Sequence, residues 1–245
     1  GYVYFTPIRP DHYRVYSQAG KCFWCCVGTG MENPGKYGEF IYAKHEDGGI
    51  WINLYIPSTL QFDKGTLEQK TSFPNEEESH LVLKLKKPQE FTLSIRHPKW
   101  VRKKNFKVII NGEEYPVESK PSSYVSIKRT WKDGDVIDVK LPMHISVEKL
   151  PDGSNWVAFK YGPLVLANPA GTEHLDGLRA DDSRMGHVAY GPTVPLNEVP
   201  MLIKPKGELT NYVNPTQKSL EFLITDIVSP KTKKGLLLKP FYQIH

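Results

Sequence analysis

All the cysteines of the chain fall in one short stretch, Cys22-Phe23-Trp24-Cys25-Cys26, and Val27-Gly28-Thr29-Gly30 follows directly. Cys22 and Cys25 make a Cys-x-x-Cys pair, and Cys25 and Cys26 are vicinal. Four chemistries are open to thiols spaced in this way. A structural zinc site needs four ligands, commonly two separated pairs; the 3 Cys offer no second pair and the 8 His are scattered. A thioredoxin-like redox motif needs a surrounding βαβ unit, and no such pattern follows. Buried cysteines can serve simply as small apolar residues. The fourth is a reactive or metal-bound thiolate completed by residues outside this chain. Cys25 and Cys26 stand where a helical pattern begins, and the positive end of a helix dipole favours a thiolate there. The glycines just beyond would let backbone approach a ligand closely. The residues alone leave these four open.

The elements that must hold this cluster are unequal. Residues 1–21 alternate aromatic and polar side chains around Pro7 and Pro10, which predicts an extended segment with a short strand over residues 2–6. A helix is expected within residues 25–44, with Tyr37, Phe40, Ile41 and Lys44 on one face. Asn33-Pro34 resembles an N-cap followed by a first-turn proline, so a restart is expected there. Asp47-Gly48-Gly49 should end the helix.

From Ile50 the hydrophobic period becomes two. Strands are expected over residues 50–56, 66–72, 80–86 and 90–96. A hairpin is expected over 106–115, where Asn111-Gly112 supplies the positive φ angles of a type I′ turn. Strands over 124–130 and 136–141 flank a second tight turn at Trp131–Asp135, and 145–149, 156–161 and 164–167 complete a sandwich-like set. Residues 169–200 read as a long loop or linker. Strands resume near 201–204, 208–213, 219–224 and 236–242. The expected fold class is mainly β, a β-sandwich preceded by a short helical segment. The expected divisions are residues 1–46, 47–168 and 169–245.

Composition agrees. Hydrophobic residues at 39% and charged residues at 24% exclude a disordered chain, and 20 Pro with 19 Gly suit a many-turned β protein. The net charge of +5 is dispersed. Its densest run, Arg102-Lys103-Lys104, reads as a solvated loop, so no nucleic acid is expected as partner. No apolar run reaches eighteen residues, so no membrane span is expected. The start at Gly1 and the stop at His245, inside an apolar segment, read as cuts in a longer protein.

Several stretches together resemble one family. They are Tyr13-Arg14-Val15-Tyr16-Ser17, Cys22 through Glu32, Lys36-Tyr37-Gly38-Glu39-Phe40-Ile41-Tyr42, Asn53-Leu54-Tyr55-Ile56-Pro57-Ser58 and Ile95-Arg96-His97-Pro98-Lys99-Trp100. Val108-Ile109-Ile110-Asn111-Gly112, Tyr161-Gly162-Pro163-Leu164-Val165-Leu166-Ala167 and Pro240-Phe241-Tyr242-Gln243-Ile244-His245 agree in the same order. The chain is similar throughout to the β-L-arabinofuranosidase family of glycoside hydrolases, and the Cys-Cys motif is the most specific of these matches.

The resemblance implies an N-terminal (α/α)₆ barrel that carries the catalytic centre, with this chain as the end of that barrel plus the sandwich region. It implies a retaining mechanism in which a cysteine thiolate takes the place of the usual carboxylate nucleophile. Matched residue by residue, Cys25 is the nucleophile and a zinc ligand, and Cys26 is a second zinc ligand. Cys22 matches no role, and packing is its default reading. The remaining zinc ligands, a Glu and a Cys, and the acid/base Glu lie upstream in the family and have no counterpart here. This chain alone is therefore expected to be inactive and to hold zinc weakly or not at all. The implied partners are the barrel in cis and, for the parent, an arabinose-containing plant-type glycan. A periplasmic or extracellular location is favoured over the cytoplasm.

Other candidates read as structural. Glu32 and Glu39 are expected to be polar, exposed helix residues. His97 and His144 are expected to be half-buried strand residues rather than sugar contacts. Trp51, Trp100, Trp131 and Trp156 are expected in a core or interface rather than on a carbohydrate platform. Apolar surface is expected near residues 13–45. The alternative function is a non-catalytic sandwich that binds carbohydrate or braces its neighbour.

Overall fold

The structure is a computed structural model and describes residues 1–173, 177–183, 185–230 and 235–244. The chain divides into two units, one of residues 36–146 with 160–164, the other of residues 1–35, 147–159 and 165–245.

The helix α1 spans Cys25–Ile41 and runs through Pro34 instead of restarting there. The proline ring has no N–H, so it leaves a carbonyl one turn earlier without its helical donor. Residues 31–40 are all exposed, and Ile41 is the helix's only buried residue. The expected apolar face is therefore uncovered, with Tyr37 47% and Phe40 60% accessible. The helix also stops before the predicted terminator. Asp47-Gly48-Gly49 instead turns a hairpin between β1 (Tyr42–Lys44) and β2 (Ile50–Ile52). The Asp47 carboxylate accepts the Gly49 N–H at 2.9 Å and the Thr92 hydroxyl at 2.6 Å.

The strands that follow are β3 (Ser58–Phe62), β4 (Gly65–Lys70), β5 (Glu78–Leu85), β6 (Gln89–His97), β7 (Lys107–Ile110), β8 (Glu113–Tyr115), β9 (Ser123–Trp131) and β10 (Val136–Lys140). They form two sheets in the orders β1-β2-β6-β9 and β3-β4-β5-β10-β7-β8. All the pairs are antiparallel except β2 with β6. In β5, Ser79, Leu81, Leu83 and Leu85 are buried in alternation with accessible neighbours. Val125, Ile127 and Trp131 play the same part in β9. Inward residues of both sheets join one core that includes Phe91, Leu93, Ile127 and Trp131 from one and Leu67, Leu81, Ile137 and Val139 from the other. Each such Leu or Ile contributes about 1.5–3 kcal/mol by leaving water.

The β7–β8 hairpin is as expected, with Asn111 at φ 52° and Gly112 at φ 87°. The turn at Trp131–Asp135 carries more than a tight reversal, because β9 and β10 belong to different sheets. Trp131 is fully buried, and its indole N–H donates to the Phe91 carbonyl at 3.0 Å. Asp133 accepts the Leu85 N–H, and Asp135 accepts the Lys132 N–H, both at 2.9 Å.

The later strands do not complete the sandwich. β11 (Ile145–Lys149), β12 (Val157–Tyr161), β13 (Leu164–Ala167), β14 (Met201–Leu202), β15 (Val213–Pro215), β16 (Phe222–Ile224), β17 (Val228–Ser229) and β18 (Leu236–Pro240) follow. Six of them build a separate sheet in the order β11-β12-β13-β18-β16-β15, and β14 pairs with β17. Alternation identifies a strand but not the sheet it joins. The strand expected over 208–213 is mostly a 3₁₀ turn, Leu209–Tyr212. The N-terminal strand reduces to a bridge between Val3 and Tyr16, and Tyr16 also bridges Arg179 in the long loop. Among the described residues, no helix is long and apolar enough to cross a membrane.

Candidate functional site

The cysteine stretch enters α1 directly, so Cys25 and Cys26 occupy the first turn of the helix while Cys22 lies before it. The three thiols then separate by environment. Cys22 is 5% accessible and packs with Val15 and Ala180. Its sulfur accepts the Gln18 N–H at 3.3 Å and lies 3.7 Å from the Asp181 carbonyl. This is the packing role expected of it. Cys25 is exposed and Cys26 half-buried, and none of the three is in a disulfide. Burial raises the Cys26 thiol pKa above its usual value, and the neighbouring Cys25 adds to the rise.

A residue that the sequence reading did not single out reaches Cys25. The Tyr4 side chain lies beside its thiol, and interaction with Cys25 is the main cause of a raised Tyr4 pKa. Tyr4 is held in an aromatic nest. Its ring lies 4.5 Å from the His187 imidazole, 4.6 Å from Phe5 and 6.3 Å, edge-on, from Trp24. His187 is also 5.3 Å from the Trp24 ring. The Tyr2 ring crosses the helix at Gly30, where an added Cβ would lie 2.5 Å from it, so a larger residue would displace the N-terminal segment. Gly28 has open space beside it. The only advance signal for Tyr4 is the aromatic alternation of residues 1–21.

Two thiols are half of what a zinc site needs. Among the described residues, no three His, Cys, Asp or Glu side chains converge as a metal set.

The other candidates fall as follows. Glu32 and Glu39 are exposed, and Glu39 pairs with Lys36 at 3.0 Å. His97, expected half-buried, is wholly buried at the end of β6. Its ring bonds the Ser119 hydroxyl at 2.7 Å and the Val101 carbonyl at 3.0 Å and stacks on Phe106 at 4.2 Å. Burial holds its pKa below the usual histidine value. His144 lies outside the strands and is half-buried, its pKa lowered by burial and then by Arg102. Trp51 stacks on His45, and Trp100 on Phe73. Trp156 departs from expectation, being 47% accessible.

Asn53 ties the other end of α1. It is 6% accessible, its backbone N–H donates to the Ile41 carbonyl at 2.9 Å, and its side-chain amide donates to the Phe40 carbonyl at 3.2 Å. The Tyr124 hydroxyl donates to the Asn53 side-chain oxygen at 2.8 Å.

The fold has counterparts among solved glycoside hydrolases. A structure described as a glycoside hydrolase aligns with a TM-score of 0.62 at 21% identity, covering 89% of this chain and 37% of its own. A GH127 β-arabinofuranosidase aligns at 0.56 and 22% identity, covering 89% and 36%. At those identities the likeness is one of fold. A GH127 β-L-arabinofuranosidase from Geobacillus stearothermophilus T6 aligns at 0.52 and 27% identity, covering 60% of this chain and 24% of its own. Residues 49–143 match the family model described as Beta-L-arabinofuranosidase, GH127 middle domain, and residues 146–245 match a domain of unknown function. The chain is thus similar to GH127 β-L-arabinofuranosidases, through its middle-domain match and its fold, and it spans 37% or less of the length of these solved relatives. No curated protein matches it.

Proposed function

We propose that this chain supplies the cysteine half of a retaining β-L-arabinofuranosidase site, whose other half lies on a helical barrel in the same parent polypeptide. The observation that carries this reading is the exposure of Cys25, beside Cys26, in the first turn of α1, just ahead of the segment that matches the GH127 middle domain. Cys25 and Cys26 would hold zinc with two ligands from the barrel, and zinc bound there favours the thiolate form at neutral pH. The Cys25 sulfur attacks the anomeric carbon of a β-linked arabinofuranoside. A C–S bond forms as the C–O bond breaks, and the electron pair leaves with the aglycone oxygen, which takes a proton from a barrel carboxylic acid. Water then attacks the same carbon, the sulfur departs, and arabinose is released with its configuration retained. Tyr4 lies beside the sulfur, and Cys22 serves packing.

The substrate class is an arabinose-containing plant-type glycan met outside the cytoplasm, in the periplasm or beyond the cell. In the full-length parent, Cys25→Ser should abolish arabinose release while leaving the fold intact by circular dichroism. The purified 245-residue chain should release none. Release by the isolated chain, or full turnover by the serine variant, would refute the reading.

A further inference from the structure

A cavity of about 420 Å³ lies in the unit that carries the cysteines, between residues 6–14, the end of β13, the long loop and the turn after β18. That volume falls in the range of small-molecule sites. Its wall is already braced. The Arg14 guanidinium lies 4.6 Å over the Phe241 ring and donates to the Ile244 carbonyl. The Tyr13 hydroxyl accepts the Gly191 N–H at 2.7 Å, and the Asn168 amide donates to the Leu237 carbonyl at 2.7 Å. The groups left over are chiefly acceptors. The carboxylates of Asp11, which is half-buried, and of Glu173 and Glu198, which are exposed, line the cavity with no side-chain hydrogen bond or ion pair among the described residues. The His12 ring contributes a buried nitrogen, Nδ1, that also has no partner.

Leaving the half-buried Asp11 carboxylate and the buried His12 nitrogen unmatched is costly, and a ligand that supplies donors removes that cost, with Glu173 and Glu198 free to add acceptors from the solvent side. The carboxylates do not converge closely enough to form a metal set among the described residues. A ligand that offers several separated hydroxyl donors, set against a wall that is partly aromatic and partly proline, meets them better than a single cation. We propose that this cavity is a carbohydrate-binding site that takes a pentosyl residue of a glycan through its hydroxyls, without covalent chemistry. The choice of a sugar rests on the reading of the parent as glycan-active; the cavity and its unmatched acceptors do not.

The test is saturation-transfer NMR and calorimetric titration of the 245-residue chain with L-arabinose and methyl β-L-arabinofuranoside, with spermidine and calcium chloride titrated separately. Sugar binding should be seen. Asp11→Asn with Glu198→Gln should weaken it about tenfold or more, since each change alters a charged hydrogen bond. Glu198→Gln alone, at an exposed position, should keep the fold and still weaken binding, as circular dichroism and titration together would show. Cys25→Ser should leave binding unchanged, which separates this site from the proposed chemistry. No sugar binding by the folded chain, binding of spermidine or calcium alone, or sugar binding indifferent to the carboxylate changes would each overturn the proposal. If sugar binds as expected while Cys25 proves dispensable in the parent, the proposed function fails and this site stands.

Discussion

Asn53 offers a quantitative test of how the end of α1 is fixed. Its side chain donates to the Phe40 carbonyl and accepts from the Tyr124 hydroxyl, and the residue is 6% accessible. Asn53→Ala removes both bonds and leaves a helix-end carbonyl and a phenol facing the gap. Two bonds at about 1 kcal/mol each, plus the cost of stranding one partner away from water, predict a loss of about 2–4 kcal/mol. Tyr124→Phe deletes one bond and should cost about 1 kcal/mol. Because the two side chains share that bond, the double variant should be less destabilised than the separate losses added, by about 1 kcal/mol. Asn53→Asp keeps the acceptor for Tyr124 but aims an oxygen at the Phe40 carbonyl, so it should not rescue. Urea unfolding followed by tryptophan fluorescence measures each value, and the m-value should not change. A loss below about 0.5 kcal/mol for Asn53→Ala, the level of an ordinary surface change, would refute the argument.

Further expectations follow from the thiols and from one charged cluster. Under iodoacetamide the native chain should alkylate first at Cys25, later at Cys26, whose pKa is raised by burial, and at Cys22 only on unfolding; peptide mapping over time checks the order, and early labelling of Cys22 would contradict its packing. His80 lies against Asp138 and 3.3 Å from Glu78, and the Asp138 hydrogen bond is the first cause that raises its pKa above 6.5. A raised folded-state value stabilises the fold fully below pH 6.5 and less as pH climbs through it. The melting-temperature gap between wild type and His80→Gln should therefore be widest in mild acid and close on the alkaline side. A gap that widens with pH would be the wrong sign.

Much of the sandwich was legible because its strands bury one face. The alternation in β5, β9 and β10 survives translation into residues, and Asn111-Gly112 announces its own turn. What could not be read is partnership. Nothing local tells residues 145–167 to join β18 and β16 rather than the sandwich, or sends β9 and β10 to different sheets. β3 was missed because Ser58–Phe62 alternates half-buried with exposed residues and buries none of them fully. The helix was legible, but not its passage through Pro34 or its early end at Ile41, which the Asn53 bonds and the β1–β2 hairpin decide. At the site, the thiols stand out by type and spacing. Tyr4 and His187 do not, because their approach depends on how distant loops return.

The composition of α1 carries a cost of its own. Gly28, Gly30, Gly35, Gly38 and Pro34 all lie within seventeen residues. Relative to alanine they make the helical state less favourable by up to about 7 kcal/mol. Residues 31–40 are all exposed, so little packing offsets that deficit. The thiols are thus mounted on the least self-sufficient element of the molecule. Its middle turns should exchange their amide protons long before the sheets do, and whatever blankets that rod would stiffen the sulfurs' perch more than any change within the sandwich could.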